Sequence, residues 1–283
     1  MNAATIASPL SMDPALLHVR RIAAVSLADA FSEPPCPTPD PGTLTTISAA
    51  WDTLREEFAG LPGGSLSLNE RSPREIDPNA LSAWLALPGN ARTGALRRVL
   101  GHVVSQDCPP CETEYLPSHD AATRAQHMAD LGGFYRAFGV WPDGSHPRRH
   151  DHAQFIVGFV CVMLTKLCDS RKSDPEDAAR EHTEVCADAL RLFLHDHAVW
   201  WLPTFARRAE ERAMAAMRNA RGMEAEALAA LGRVAGSLRC WTAVERSATG
   251  IAPSRRIVQP LIGGTASDEA DCNDCGTCPA TPD

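Results

Sequence analysis

The chain lacks an apolar run long enough to cross a membrane. The longest, Phe155 to Leu164, is about half of the roughly 20 residues a spanning helix needs, so no stable membrane insertion is expected. The N-terminal residues show no basic segment followed by an apolar one, the mark of a secretory leader, which makes the cytoplasm the expected compartment. There is no alternating strand pattern and no repeat at a solenoid period. Catalytic signatures are missing too. Gly63-Gly64 and Gly263-Gly264 lack the lysine and hydroxyl residue of a phosphate-cradling loop. No Gly-x-Ser-x-Gly elbow occurs, and paired carboxylates such as Glu210-Glu211 are expected on solvated helix faces. The chain therefore reads as a non-enzyme. Positive charge is in deficit: the net charge is -8, and of 27 basic residues only Lys166 and Lys172 are lysines. That balance argues against nucleic acid as a partner and suits a basic peptide.

What is present is helical. Aromatics make up only 6% of the 283 residues, and alanine, leucine and arginine dominate. Asp13-Pro14 is a helix start, with Asp as N-cap and Pro in the first turn. A second helix is expected from about Leu44 to Phe58, with Ile47, Trp51, Leu54 and Phe58 on one face, then a long connection over 60–77. Shorter helices follow at 79–87 and 90–104, and a further one starts at Ser118 or Asp120, with Met128, Leu131, Tyr135 and Phe138 inward and Gly139 as its stop. Residues 151–167 are apolar all round, as in the middle of a bundle. A helix opened by Asp174-Pro175 should bury Val185, Ala189, Leu192 and Phe193, and end near His195. Two more run through Trp200-Trp201 to Ala220 and from Glu224 to Ser247. The sum is an all-α, single-domain helical bundle of roughly eight to ten helices over residues 13–250. It is flanked by a loose tail at 1–12 and a disordered, cysteine-containing tail at 251–283.

The stretch from Cys108 to Phe155 concentrates titratable and aromatic residues at both ends of one helix and at the start of the next. Cys108-Pro109-Pro110-Cys111 has the spacing of a redox pair or half a zinc site. It lacks a βαβ setting, and Glu112 and Glu114 would raise thiol pKa values, so it reads as a proline-stiffened loop. Glu112, Glu114 and Tyr115 then become acceptors for a cationic partner. In His150-Asp151-His152 the aspartate is placed as an N-cap, and the histidines line a polar cleft. His195 and His197 make a second His-x-His pair; a four-histidine metal site is the lesser reading, because the defined spacing and carboxylate support of such sites are missing. Cys272, Cys275 and Cys278 put three thiols within seven residues, a set suited to a soft metal ion. A metal- or redox-handling protein built on that tail is the alternative function; otherwise no cofactor is required.

The order of motifs resembles a known family. Pro109-Pro110-x-Glu112 comes first, then a helix ending Phe134-Tyr135-x-x-Phe138-Gly139, then Asp151-His152. Last comes Phe193-x-x-Asp196-His197-x-x-x-Trp201-x-Pro203-x-Phe205. Over residues 95–210 this looks like the TorD/DmsD/NarJ redox-enzyme maturation chaperones. The string Cys-Pro-Pro-Cys-Glu-Thr-Glu-Tyr resembles the branch serving type II enzymes of the DMSO reductase family, of the ethylbenzene, dimethylsulfide, selenate and chlorate type. The resemblance implies an all-helical fold and a cytoplasmic chaperone, monomer or homodimer. Its implied partner is the apo catalytic subunit of a molybdopterin oxidoreductase, held with its twin-arginine signal peptide until cofactor is inserted. It also implies a peptide cleft made of Glu112, Glu114, Tyr115, Tyr135, Asp151, His152, His197 and Trp201, beside His150. Where the family often has an acidic residue after the Asp-His pair, this chain has Gln154-Phe155. The physics is consistent: guanidinium groups call for planar carboxylates, and an apolar stretch calls for aromatic walls.

Overall fold

The structure, a computed structural model, describes residues 13–101, 107–118, 120–140, 149–170 and 176–260. Among them are nine α-helices and no strand. The helices are α1 (Pro14–Ala30), α2 (Pro41–Glu57), α3 (Ala80–Leu85), α4 (Gly89–Leu100), α5 (Ala121–Ala137), α6 (Ala153–Ser170), α7 (Glu176–Phe193), α8 (Leu202–Met217) and α9 (Gly222–Ala248). Local chemistry sets several of their ends. Asp13, Asp40 and Asp120 each accept from backbone N–H groups in the first turn, and Gly139, at φ 68°, turns the chain away after α5.

The longest helix, α9, lies at the centre. From Val234 to Leu238 five successive residues are buried, so neighbours enclose it on every side. It packs against α8, α3 and α4, while α6 packs against α1 and α7. Helix α6 is 18 residues, longer than its apolar run, and by length and composition alone is apolar enough to cross a membrane. Yet Ile156, Val157, Val160, Met163 and Leu164 are fully enclosed, as in a core helix.

Three expectations change. Helix α7 buries Cys186, Leu190 and Phe193, whereas Val185 and Leu192 are exposed. The inward stripe is thus rotated by about one residue, or about 100°, because α6 meets the Cys186–Leu190 face. Glu210 is not free on a solvated face: it accepts from Arg71 and Arg239. Residues 251–260 are docked, not loose. Ile251 and Val258 are buried, Leu68 N donates to Ser254 O, and Arg246 donates to Ile251 O. Residues 1–12 and the cysteine tail from 261 onward lie outside the described residues.

Candidate functional site

The two ends of the Cys108–Phe155 stretch meet. A lone antiparallel bridge joins Cys111 to His152. Glu112 N donates to Asp151 O at 2.9 Å, and Ala153 N donates to Pro110 O at 2.8 Å. Two prolines hold the loop extended, and a single 3-10 turn, Glu112–Tyr115, then carries the acidic and aromatic residues. Cys108 and Cys111 are buried, and burial pushes the Cys108 thiol up to about 12, which makes it a poor nucleophile at neutral pH.

One guanidinium organises this junction. Arg149 Nη1 donates to Glu114 Oε1 at 2.6 Å, and its Nε and Nη2 donate to the two oxygens of Asp151 at 3.0 and 2.9 Å. It also donates to Thr113 Oγ1. Arg124 completes the Glu114 pair at 3.3 Å. Asp151 is fully buried and accepts from both the backbone N–H and the hydroxyl of Thr113. Burial acts to raise its carboxyl; the Arg149 bond and charge and the Thr113 donors outweigh that and leave it below 3.8. Burial likewise works against the charge on Arg149, and Asp151 and Glu114 more than restore it.

Several sequence-predicted residues therefore build the frame of the site and not its face. Asp151 is tied to Thr113 and Arg149 and does not cap α6; His152 does, its Nδ1 accepting from Gln154 N at 3.2 Å. Tyr115 is buried, donates to Pro109 O, and stacks at 5.2 Å on Trp201, itself fully enclosed with its N–H on His197 O. Tyr135 is buried and donates to His150 O. Burial holds both phenols well above their ordinary pKa. A peptide arriving from solvent meets none of these rings, and Glu114 and Asp151 already hold a guanidinium.

The face is made elsewhere. After α7 the chain takes one wide turn over Leu194–Ala198, with Val199 N donating to Leu194 O, the i→i+5 spacing of a π-turn. The inserted residue swings His197 inward, leaves Asp196 exposed, and separates Trp200 from the buried Trp201. His197 Nδ1 lies 3.3 Å from Glu112 Oε2, and Trp200 Nε1 donates to Glu112 Oε1 at 3.0 Å. From α5, His127 Nε2 reaches within 2.9 Å of the same carboxylate. That contact is short but poorly aligned, for Nε2 meets no acceptor at a hydrogen-bonding angle, so it acts as a nearby charge. Burial lowers the His127 pKa; the Glu112 carboxylate more than reverses this and leaves it above 6.5.

His127, Asp130, Phe134 and Phe138 share one face of α5. With Asp196 and His197 they line an open groove of about 720 Å³. Phe134 also belongs to a ring cluster with Phe159, Phe193 and His197 at 5.4–6.3 Å. His127 and Asp196 form the shared wall to a second pocket of about 350 Å³, bounded by Trp200, Leu116 and the docked segment at Ile251. Sequence reasoning singled out Glu112 and His197, which do meet, and missed His127, Asp130 and Trp200. Their signal was faint: a histidine, an aspartate and two phenylalanines at spacings 0, 3, 7 and 11 on α5. Of the two His-x-His pairs, only His197 joins a cluster. His195 sits exposed on Asp196, and His150 and His152 stay at the head of α6.

Residues 100–207 match the family model described as nitrate reductase delta subunit. That span contains the proline-cysteine loop, α5, α6, α7 and the π-turn, and so every element of the groove. No curated protein and no solved structure matches the chain.

Proposed function

We propose that the chain is a non-enzymatic maturation chaperone. It holds a basic-then-apolar segment of a redox enzyme's apo catalytic subunit in the groove between α5 and the π-turn. The observation that carries this is the groove itself: Phe134 and Phe138 form its apolar floor, the carboxylates of Asp130 and Asp196 stand at its rim, and the family match spans its elements. Two exposed carboxylates suit guanidinium groups, and two half-buried rings suit the apolar residues that follow them. The net charge of -8 favours encounter with such a segment, more so at low salt.

On this reading the client is a molybdopterin enzyme of the branch that the Cys-Pro-Pro-Cys-Glu-Thr-Glu-Tyr string resembles, its twin-arginine signal is the segment bound, and binding takes place in the cytoplasm before cofactor insertion. Arg149 supports the chemistry from inside, since it shows this region already stabilising one guanidinium between two carboxylates.

The test is fluorescence anisotropy with a labelled peptide carrying two adjacent arginines and an apolar stretch. The variant Phe138→Glu with Asp196→Asn should bind about tenfold or more weakly, a loss of about 1.4 kcal/mol or more, with an unchanged far-UV circular dichroism spectrum. Replacing both peptide arginines by lysine should also weaken binding, because lysine cannot make the bidentate contact. Equal affinity for the wild-type protein and the variant removes the groove from the reading.

A further inference from the structure

We propose that Glu112, His127 and His197 form a binding site for a divalent transition-metal ion of the zinc class, its remaining coordination supplied by water or by a group in the groove. The three donors come from three separate elements: the 3-10 turn, α5 and the π-turn. One ligand atom from each lies within 4.8 Å of the other two. The Glu112 oxygens stand 2.9 Å from His127 Nε2 and 3.3 Å from His197 Nδ1. Donors around a tetrahedral ion with bonds of about 2.0–2.1 Å are about 3.3 Å apart, close to these two carboxylate–imidazole distances.

Two features of the cluster suit a shared ion. His127 Nε2 is buried and makes no hydrogen bond, although a carboxylate is within reach. On a neutral imidazole the Nε2 lone pair is then available to a metal ion. Glu112 itself is fully buried, and a buried carboxylate is stabilised by a cation, whether a protonated His127 or a bound metal ion. Its contacts are two imidazoles and the Trp200 N–H, while the nearby Arg149 is committed to Glu114 and Asp151.

The donor set selects the ion. Two imidazoles and one carboxylate, with no thiolate, suit zinc and its neighbours, not a soft monovalent ion. Trp200 Nε1, donating to Glu112 Oε1, fixes the carboxylate as an outer-sphere partner fixes a ligand. Both histidines line the groove. An ion there ties the loop, α5 and the π-turn into one wall, and this inference does not depend on which client the groove holds.

The experiment uses the full chain with Cys272, Cys275 and Cys278 replaced by serine, so that the tail cannot supply ligands. Metal-free protein is titrated with cobalt(II) and followed by visible absorption, then with zinc(II) to displace it. The expected result is one equivalent of cobalt, d–d bands of a four- or five-coordinate N/O site, no thiolate charge-transfer band, and displacement by zinc. Glu112→Gln, His127→Gln and His197→Gln should each weaken binding about tenfold or more. His127→Gln is the decisive variant because its side chain is partly exposed and its loss leaves the core intact. Zinc should also raise the thermal midpoint of the serine variant with rising zinc concentration, and fail to do so once His127 is replaced. Absence of stoichiometric binding overturns the proposal, as does a thiolate band or affinity unchanged by His127→Gln; the cluster is then a histidine–carboxylate pair only.

Discussion

Two regions of this molecule bury charge, and they do so with different chemistry. At the C-terminal end of α9, Arg20 clamps Glu245 through two bonds of 3.0 and 2.6 Å, both side chains fully enclosed. The next residue, Arg246, clamps Glu70 and also holds the Ser65 and Ile251 carbonyls. Both pairs are forked and sealed in the core, and an always-charged guanidinium keeps them that way. At the groove, Glu112 is just as buried, but its companions are two histidines and an indole in the wall of an open cleft. Histidine can give up its proton or take a metal at physiological pH, and arginine cannot. The first arrangement is therefore scaffold, and the second can change state with what surrounds it.

Breaking the scaffold pair should have the largest effect. Arg20→Met leaves Glu245 buried without its cation and is expected to cost about 3–5 kcal/mol, read from urea unfolding. Arg20→Met combined with Glu245→Leu should recover most of that, since a matched apolar pair removes the orphaned charge. Glu112→Gln should cost less, about 1–3 kcal/mol, because an amide oxygen can still accept from Trp200. Equal losses at the two sites would erase the distinction between them.

The pH dependence sharpens the comparison and has opposite signs at two neighbouring groups. Asp151 has its carboxyl held below 3.8 in the fold, so its contribution is present above the unfolded value and fades as pH falls through the folded one. The stability gap between wild type and Asp151→Asn should be full near neutrality and shrink once the pH drops below 3.8. His127 has its pKa raised above 6.5, so its contribution is full below that value and is lost as pH rises through the folded one. Thermal melts of metal-free His127→Gln and wild type should diverge in mild acid and converge at alkaline pH. Curves that stay parallel across the range would mean that Glu112 does not sense the charge on His127. The smallest effect belongs to Asp196→Asn. Exposed at the groove rim, it should leave stability within about 0.5 kcal/mol of wild type while lowering affinity for an arginine-containing peptide. A large loss of stability there would make Asp196 part of the frame.

The sequence by itself determined the helical architecture. Aspartate caps before proline, 3.6-residue stripes such as Ile47, Trp51 and Leu54, and Gly139 after α5 are local signals, carried by neighbours along the chain. It also located the working region, because Cys108–Phe155 and the residues around His197 stand out in composition before any folding is considered. Which of those residues face solvent was decided by tertiary structure alone. Tyr115, Tyr135, Asp151 and Trp201 look like a binding surface in one dimension, yet they close on Pro109, His150, Thr113, Arg149 and His197 once α6 and the π-turn are brought together. The same holds for α7, whose buried side was set by where α6 touches it. Helical periodicity names the residues that share a face, but the partner that covers the face comes from far along the chain. The His127–Glu112–His197 meeting is the clearest case: its donors are separated by 15 and 70 residues in sequence and join only because the loop, α5 and the π-turn converge on one side of the bundle.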